Sequence, residues 1–305
     1  MVKLITPATK IYCIFGKPVS HSMSPLIHNM LFNKFSIDAV YLAFEIDDIK
    51  HGVDAIRNLG IKGASITIPF KEAIIAHLDE IDETARQIGA VNTVINNDGY
   101  LWGCNTDCAG AVEPLKEALS GSSLALPEGL SALSKGSLDG KNVYIIGAGG
   151  AARAVAFGIK KEGGNITIVN RSQDKGEQLA LQVNGKYLSL LEFNQQASAD
   201  SMSNHLKHID IIINTTSVGM TPNIDQSPVS PQIFHKNITV MDIVYNPLKT
   251  KLLRDAENAG AKIVDGLSMF IHQGAAQFEL FTGIKPPRQI MRDTVIKKML
   301  KVPNQ

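Results

Sequence analysis

Cysteine is scarce in this chain, with three in 305 residues: Cys13, Cys104 and Cys108. That number supports no disulfide framework. The Cys104-x3-Cys108 spacing has no second thiol pair or close histidine to complete a zinc set, so no metal site is expected. Net charge is nearly absent too, 30 basic against 29 acidic side chains for a formal +1. No global field therefore draws the chain to nucleic acid or to an anionic membrane. No apolar run reaches 18 residues, and the opening MVKLITPATK has no stretch of signal-peptide length. A cytoplasmic protein is expected. No internal repeat occurs either. What is present, 44% hydrophobic and 19% charged residues, is the composition of a globular protein long enough for two cores.

The chain is organised around Val143–Val155, VYIIGAGGAARAV. Val143 to Ile146 is an apolar run that reads as a buried parallel strand. Gly147-Ala148-Gly149-Gly150-Ala151-Ala152 then forms a G-x-G-x-x-A turn, and apolar residues continue at helical spacing to about Lys161. Gly147 permits a tight turn, Gly149 lets backbone approach a pyrophosphate, and Ala152 lets helix pack on strand. An ordinary glycine turn shares the six-residue pattern; the strand–turn–helix context favours a dinucleotide site. No Gly-Lys-Ser/Thr follows, which excludes a nucleoside-triphosphate P-loop. Twenty-three residues after Gly147 stand Asn170-Arg171-Ser172, with no carboxylate for a ribose 2′-hydroxyl. Arg171 can meet a 2′-phosphate through its planar fork and Ser172 can add a hydroxyl, so NADP is favoured over NAD.

Before that unit the pattern alternates. Strands are expected at 10–15, 40–45 and 63–68, with helices at 25–35 (Ser24 as N-cap) and 49–59. Shorter helical pieces follow at 71–78 and 84–88, then a hairpin through Asp98-Gly99. A helix at 110–119 leads into 120–137, rich in Ser, Gly and Leu, which reads as a surface insertion. From Leu138 the dinucleotide unit adds strands at 165–170, 209–214, 238–243 and 261–264, with helices at 175–183 and 249–259. Helices at 268–281 and 287–300 close the chain. The fold class is α/β: a mainly parallel N-terminal domain plus a Rossmann-type doubly wound domain. The expected boundaries are 1–109 with 270–305, and 110–269.

Polar clusters fall at the strand ends of the first domain, where open α/β sheets bind ligands. They are the serine loop of residues 17–25, Thr67 to Lys71, and Ala90–Thr93 with Asn105–Asp107. Each also has a plain structural reading as helix cap, turn or solvated charge. The His205-x2-His208 pair lacks a third ligand and reads as surface.

In order and spacing, GKPVSHSMSP, SITIPFK, IGAVNT, GCNTD, GAGGAARAV, NRS, NTTSVGM, DIVYNPLKT and DGLSMFIHQGAAQFELFTG resemble the shikimate dehydrogenase family, quinate/shikimate dehydrogenases included. The resemblance spans Phe15 to about Pro286. It implies reversible NADPH-dependent reduction of 3-dehydroshikimate to shikimate, in the biosynthesis of chorismate and aromatic amino acids. It implies Lys71 and Asp107 as the catalytic pair, and Ser22, Ser24, Thr67, Asn92, Tyr245 and Gln273 as substrate contacts. Cofactor contacts are implied at Gly147, Ala148, Gly149, Gly150, Ala151, Asn170, Arg171 and Ser172, with Thr215, Gly266 and Met269 flanking the nicotinamide. The active site is expected in a cleft between domains, in a monomer or homodimer.

The residue chemistry is consistent with that assignment. Reducing a ketone needs a proton at its oxygen, which a lysine ammonium can supply while stabilising the developing alkoxide. Two alternatives stand beside it. One is a quinate/shikimate dehydrogenase using NAD or NADP, since Asn170 repels neither cofactor. The other is a non-catalytic sensor of NADP or shikimate, against which the intact Lys71 and Asp107 argue.

Overall fold

The structure is a computed structural model that describes residues 5–120, 136–197 and 206–300. Most of the 120–137 insertion and His205 lie outside the described residues. The chain divides into two compact units: residues 1–106 with 273–305, and residues 107–272.

The first unit contains β1 (Lys10–Gly16), α1 (Ser24–Lys34), β2 (Ala39–Glu45), α2 (Ile49–Asn58), β3 (Gly63–Ile66), β4 (Glu80–Ile81), α3 (Glu83–Ile88), β5 (Thr93–Asn97) and β6 (Tyr100–Cys104). The strands form one sheet in the order β2-β1-β3-β5-β6-β4. β2, β1 and β3 run parallel, and the hairpin turns β5 antiparallel to β3. Asp98 and Gly99 both take positive φ at that hairpin, as a two-residue turn matched to strand twist requires. α2 buries Ile49, Gly52, Val53 and Ile56, one stripe at helical spacing, and its first turn is capped by the Asp48 carboxylate.

β1 shows why its sequence reads as apolar throughout. Cys13 and Phe15 enter a core with α2, while Tyr12 packs on Phe32 and Phe281 on the opposite face. Gly63 of β3 allows that second layer to close: a Cβ there would stand 2.5 Å from the Phe281 ring.

The second unit begins with α4 (Asp107–Leu119), followed by β7 (Asn142–Ile146), α5 (Gly150–Lys161), β8 (Asn165–Asn170), α6 (Gln173–Gln182), β9 (Lys186–Ser189), α7 (Leu190–Ala197), β10 (Ile211–Asn214), β11 (Thr239–Asp242), α8 (Lys251–Asn258) and β12 (Lys262–Val264). All six strands are parallel in the order β12-β11-β10-β7-β8-β9. This is the doubly wound arrangement, with order reversing beside β7. On β7, Val143 and Ile145 enter one core while Tyr144 and Ile146 enter another. Helices cover both faces, so the strand is hydrophobic in succession. α9 (Gly266–Thr282) crosses the division between units, and α10 (Arg288–Leu300) follows in the first. No described helix is long and apolar enough to cross a membrane.

Three local expectations change. Ser24 is the first residue of α1 and not its N-cap; Met23 holds that position without a side-chain bond. α4 starts at Asp107, three residues earlier than its apolar periodicity suggested. β9 and α7 lie between the helix and the strand expected at 175–183 and 209–214, where no element was assigned.

Candidate active site

In the first unit the segment 90–92 braces two others. The Val91 amide donates to the Lys71 carbonyl at 2.8 Å. Next along, Asn92 Oδ1 accepts from the Thr106 amide at 2.8 Å, while Asn92 Nδ2 donates to Thr106 Oγ1 at 3.0 Å. Asn105 Nδ2 adds a bond to the Ala90 carbonyl at 2.9 Å. Neighbouring residues of one loop thus hold the backbone of Lys71 and the residue that precedes Asp107. Asn92, Thr106 and Asp107 are all buried.

Thr67 and Ser22 sit in adjoining segments. The Thr67 amide donates to the Phe15 carbonyl at 2.9 Å, and the Lys17 amide to the Ile68 carbonyl at 2.9 Å. Gly16 makes this close approach feasible, since a Cβ there would lie 2.3 Å from the Thr67 methyl. Ser22 Oγ accepts from the Ser24 amide at 3.2 Å. Ser24 is buried. Gln273 opens the part of α9 that belongs to this unit.

In the second unit the glycine turn has the expected geometry. Gly147 takes φ +116, and a Cβ there would stand 2.5 Å from the Thr215 hydroxyl. Thr215 is anchored in turn, its Oγ1 donating to the Ile146 carbonyl at 2.6 Å. A Cβ at Gly149 or Gly150 would meet no heavy atom within 4 Å. The backbone there faces open space at the N-terminus of α5, whose first-turn N–H groups lack intrahelical partners. That cradle fits a pyrophosphate. Ala148 and Ala151 lie in the same turn and first helical turn. At the end of β8, Asn170 Nδ2 donates to the Ser172 carbonyl at 2.9 Å and shapes the turn into α6. Arg171 and Ser172 are exposed, and the Ser172 hydroxyl is not used to cap α6. A guanidinium and an uncommitted hydroxyl side by side suit a phosphate monoester.

Gly266 starts α9 against the chain after β11, where a Cβ would stand 2.5 Å from both the Ile243 and Val244 carbonyls. Met269 is buried in the core beneath α5. Tyr245 stacks on Phe270 with centroids 5.1 Å apart and planes 28° from parallel. Burial raises the Tyr245 phenol above its usual range.

Two buried residues that sequence reasoning passed over organise these loops. Asn214 Oδ1 accepts from the amide and hydroxyl of Thr216 at 3.0 and 2.7 Å, while its Nδ2 donates to Asp242 Oδ1 at 2.9 Å. Asp242 also accepts from the Val244 amide at 3.0 Å and the Thr250 hydroxyl at 2.6 Å. Burial pushes the Asp242 carboxyl up to about 6, against the pull of those three hydrogen bonds. Both residues stand inside quoted motifs, NTTSVGM and DIVYNPLKT. Their position at the last residue of a strand, beside Thr215 and Tyr245, was the available signal.

Three family models match in chain order. Residues 14–94 match the shikimate dehydrogenase substrate binding domain, 130–265 shikimate/quinate 5-dehydrogenase, and 266–296 the shikimate 5′-dehydrogenase C-terminal domain. A shikimate dehydrogenase (NADP(+)) from Pyrococcus abyssi is 41% identical over 291 residues, covering 95% of this chain and 98% of that protein. A crystal structure of a shikimate dehydrogenase in complex with NADP+ matches with TM-score 0.85 and 39% identity, over 97% of each chain. That of shikimate 5-dehydrogenase from Listeria monocytogenes, in complex with shikimate and NAD, matches with TM-score 0.83 and 31% identity, over 97% of this chain and 99% of that one.

Proposed function

The chain belongs to the shikimate dehydrogenase family, and on that premise we propose that it is an NADP-dependent shikimate dehydrogenase of aromatic biosynthesis, interconverting 3-dehydroshikimate and shikimate. One observation carries the assignment of roles. Residues 91 and 92 hydrogen-bond both the Lys71 backbone and Thr106, the residue before Asp107, which supports reading the two as one pair.

In the reducing direction Lys71 holds the ketone oxygen, stabilises the negative charge that develops there, and delivers the proton. Asp107 has the role of orienting the Lys71 ammonium and accepting from the neighbouring substrate hydroxyl. Ser22, Ser24, Thr67, Asn92 and Gln273 supply the donors and acceptors that a ring with hydroxyls and a carboxylate requires. The Tyr245 phenol, kept neutral by burial, donates to the carboxylate. Gly147 to Ala151 would hold the pyrophosphate of NADPH, and Asn170, Arg171 and Ser172 its adenosine end; when bound, the cofactor would supply a hydride to the carbonyl carbon. Thr215, Gly266 and Met269 shape the nicotinamide pocket.

Purified protein given shikimate and NADP should raise absorbance at 340 nm between neutral and alkaline pH. A trace no steeper than the enzyme-free control overturns the reading. Comparing kcat/KM for shikimate and quinate, each with NADP and NAD, decides between this activity and a quinate-directed relative. Shikimate with NADP should be the best pair.

A further inference from the structure

A chain of buried hydroxyl and amide groups runs through the first unit from Tyr41 to Asn92. Tyr41 donates to Ser65 Oγ at 2.6 Å, and Ser65 donates to Gln277 Oε1 at 2.9 Å. Gln277 Nε2 donates to the Asn92 carbonyl at 3.1 Å and to Thr93 Oγ1 at 2.9 Å. Thr93 in turn donates to Asn92 Oδ1 at 2.8 Å. Ser65 and Thr93 are directly paired across β3 and β5, which puts both hydroxyls on one face beneath α9. Gln277 lies one helical turn after Gln273 and is 2% exposed.

The direction of every bond in this chain is determined. A backbone carbonyl can only accept, so the Asn92 carbonyl requires the Gln277 amide nitrogen to face it. Gln277 Oε1 must then face Ser65, which has to donate, and Tyr41 has to donate to Ser65. On the other side Thr93 accepts from Gln277 and gives its proton to Asn92 Oδ1. The Thr106 amide imposes the same orientation on Asn92 independently, at 2.8 Å. Asn92 Nδ2 is thereby turned away from Thr93; one of its N–H groups goes to Thr106 Oγ1, and the other has no partner among the described residues. Both Gln277 N–H groups are already engaged, so Gln277 has none to offer a ligand.

We propose that Gln277 is a positioning residue for the substrate site: acting through Thr93 and held by Ser65 and Tyr41, it locks the Asn92 carboxamide with an N–H presented to a substrate hydroxyl. The proposal rests on the reading of Asn92 as a substrate contact. A buried amide network of this kind is stiff because reversing one member leaves donors facing donors.

The test is steady-state kinetics on the full chain with Gln277→Leu, Thr93→Val, Thr93→Ser and Asn92→Ala, with thermal unfolding of each. Gln277→Leu and Thr93→Val should each raise shikimate KM by about 5- to 50-fold, the range expected for losing one neutral hydrogen bond or leaving its partner unpaired. Their kcat should fall less, and KM for NADP should stay within twofold. Thr93→Ser keeps the hydroxyl and should restore shikimate KM, which a general loss of packing would not allow. If Gln277→Leu does not fold, the Thr93→Val and Thr93→Ser pair decides alone. Shikimate KM within twofold of wild type in a folded Gln277→Leu or Thr93→Val, while Asn92→Ala raises it, overturns the positioning role and leaves the proposed activity standing. Wild-type protein inactive on shikimate, or Asn92→Ala with unchanged KM, overturns the underlying reading and this proposal with it.

Discussion

The amide of Val91 donates to the carbonyl of Lys71 at 2.8 Å, which ties the lysine backbone to the residue beside Asn92. In the proposed mechanism Lys71 is a general acid, a role that needs placement to within about 0.5 Å, and this bond fixes its backbone. Lys71→Ala is predicted to lower kcat by roughly 10²–10⁴-fold, the range for a general acid–base group. Shikimate KM should change far less, because the charge it stabilises develops in the transition state. Asp107→Asn should also be damaging, and the double variant should lose much less than the product of the two. A Lys71→Ala enzyme with near-normal kcat removes the residue from the mechanism.

Asp242 leads to a prediction about stability and pH. Its folded pKa of about 6 lies above the ordinary aspartate value of 3.8, so the folded protein favours the protonated carboxyl. Stability from this group is present below pH 3.8 and is lost as pH rises through 6. The loss by neutral pH is about 3 kcal/mol at most, from 1.36 kcal/mol per pKa unit. Asp242→Asn keeps an acceptor for Asn214 and Val244 and can donate to Thr250, so it should fold. Denaturant unfolding at pH 4.5 and 7.5 should show the variant gaining on wild type at the higher pH. An equal difference at both pH values shows that the carboxyl is not shifted.

His28 acts in the opposite sense. It is fully buried, stacked on Tyr41 with centroids 4.4 Å apart and planes 6° from parallel. Neither ring nitrogen has a hydrogen-bond partner among the described residues. Burial pushes the imidazole down to about 3 from 6.5. Its contribution is therefore present above pH 6.5 and lost as pH falls toward 3. At pH 5 the loss is about 2 kcal/mol. His28→Leu, close in volume and unable to protonate, should resist acid better than wild type, read as the unfolding midpoint between pH 7.5 and 5. Parallel acid curves for the two proteins exclude His28 as the acid-sensitive group.

Much of this architecture was legible because it is local. The Gly147 turn, the alternation on both sides of it and the Asp98-Gly99 hairpin each carry their reason within a few residues. The site was less so. Ser24 looked like a helix cap because Pro25 follows it, but it is the first residue of α1 and Met23 holds the cap position. Gln277 and Asn92 are 185 residues apart, and no periodicity connects them. Asp242 and Asn214 become a pair only when β10 and β11 lie side by side. Hydrogen bonds between buried side chains depend on tertiary placement, which a linear pattern does not encode.

Cofactor choice is the last prediction, and it turns on Arg171. The 2′-phosphate of NADP carries charge that NAD lacks, and Arg171 is exposed at the end of β8 with Ser172 beside it. A charge-assisted hydrogen bond contributes roughly 1.5–3 kcal/mol, about 10- to 150-fold in affinity. Arg171→Ala should weaken NADP by about that factor and leave NAD nearly unchanged. Ser172→Ala should act in the same direction with a smaller effect, since a neutral hydroxyl bond is worth only about 1 kcal/mol. Added salt should erode the wild-type preference for NADP, because an exposed ionic contact is screened within about 10 Å at 0.1 M. Asn170 should be neutral between the cofactors: its Nδ2 is engaged with the Ser172 carbonyl at 2.9 Å, so it shapes the turn for either one. Titration of both cofactors into wild type and Arg171→Ala, at low and high salt, separates these contributions. Equal weakening of NAD and NADP shows that Arg171 serves the turn or the adenine, and the preference for NADP then has to come from other residues.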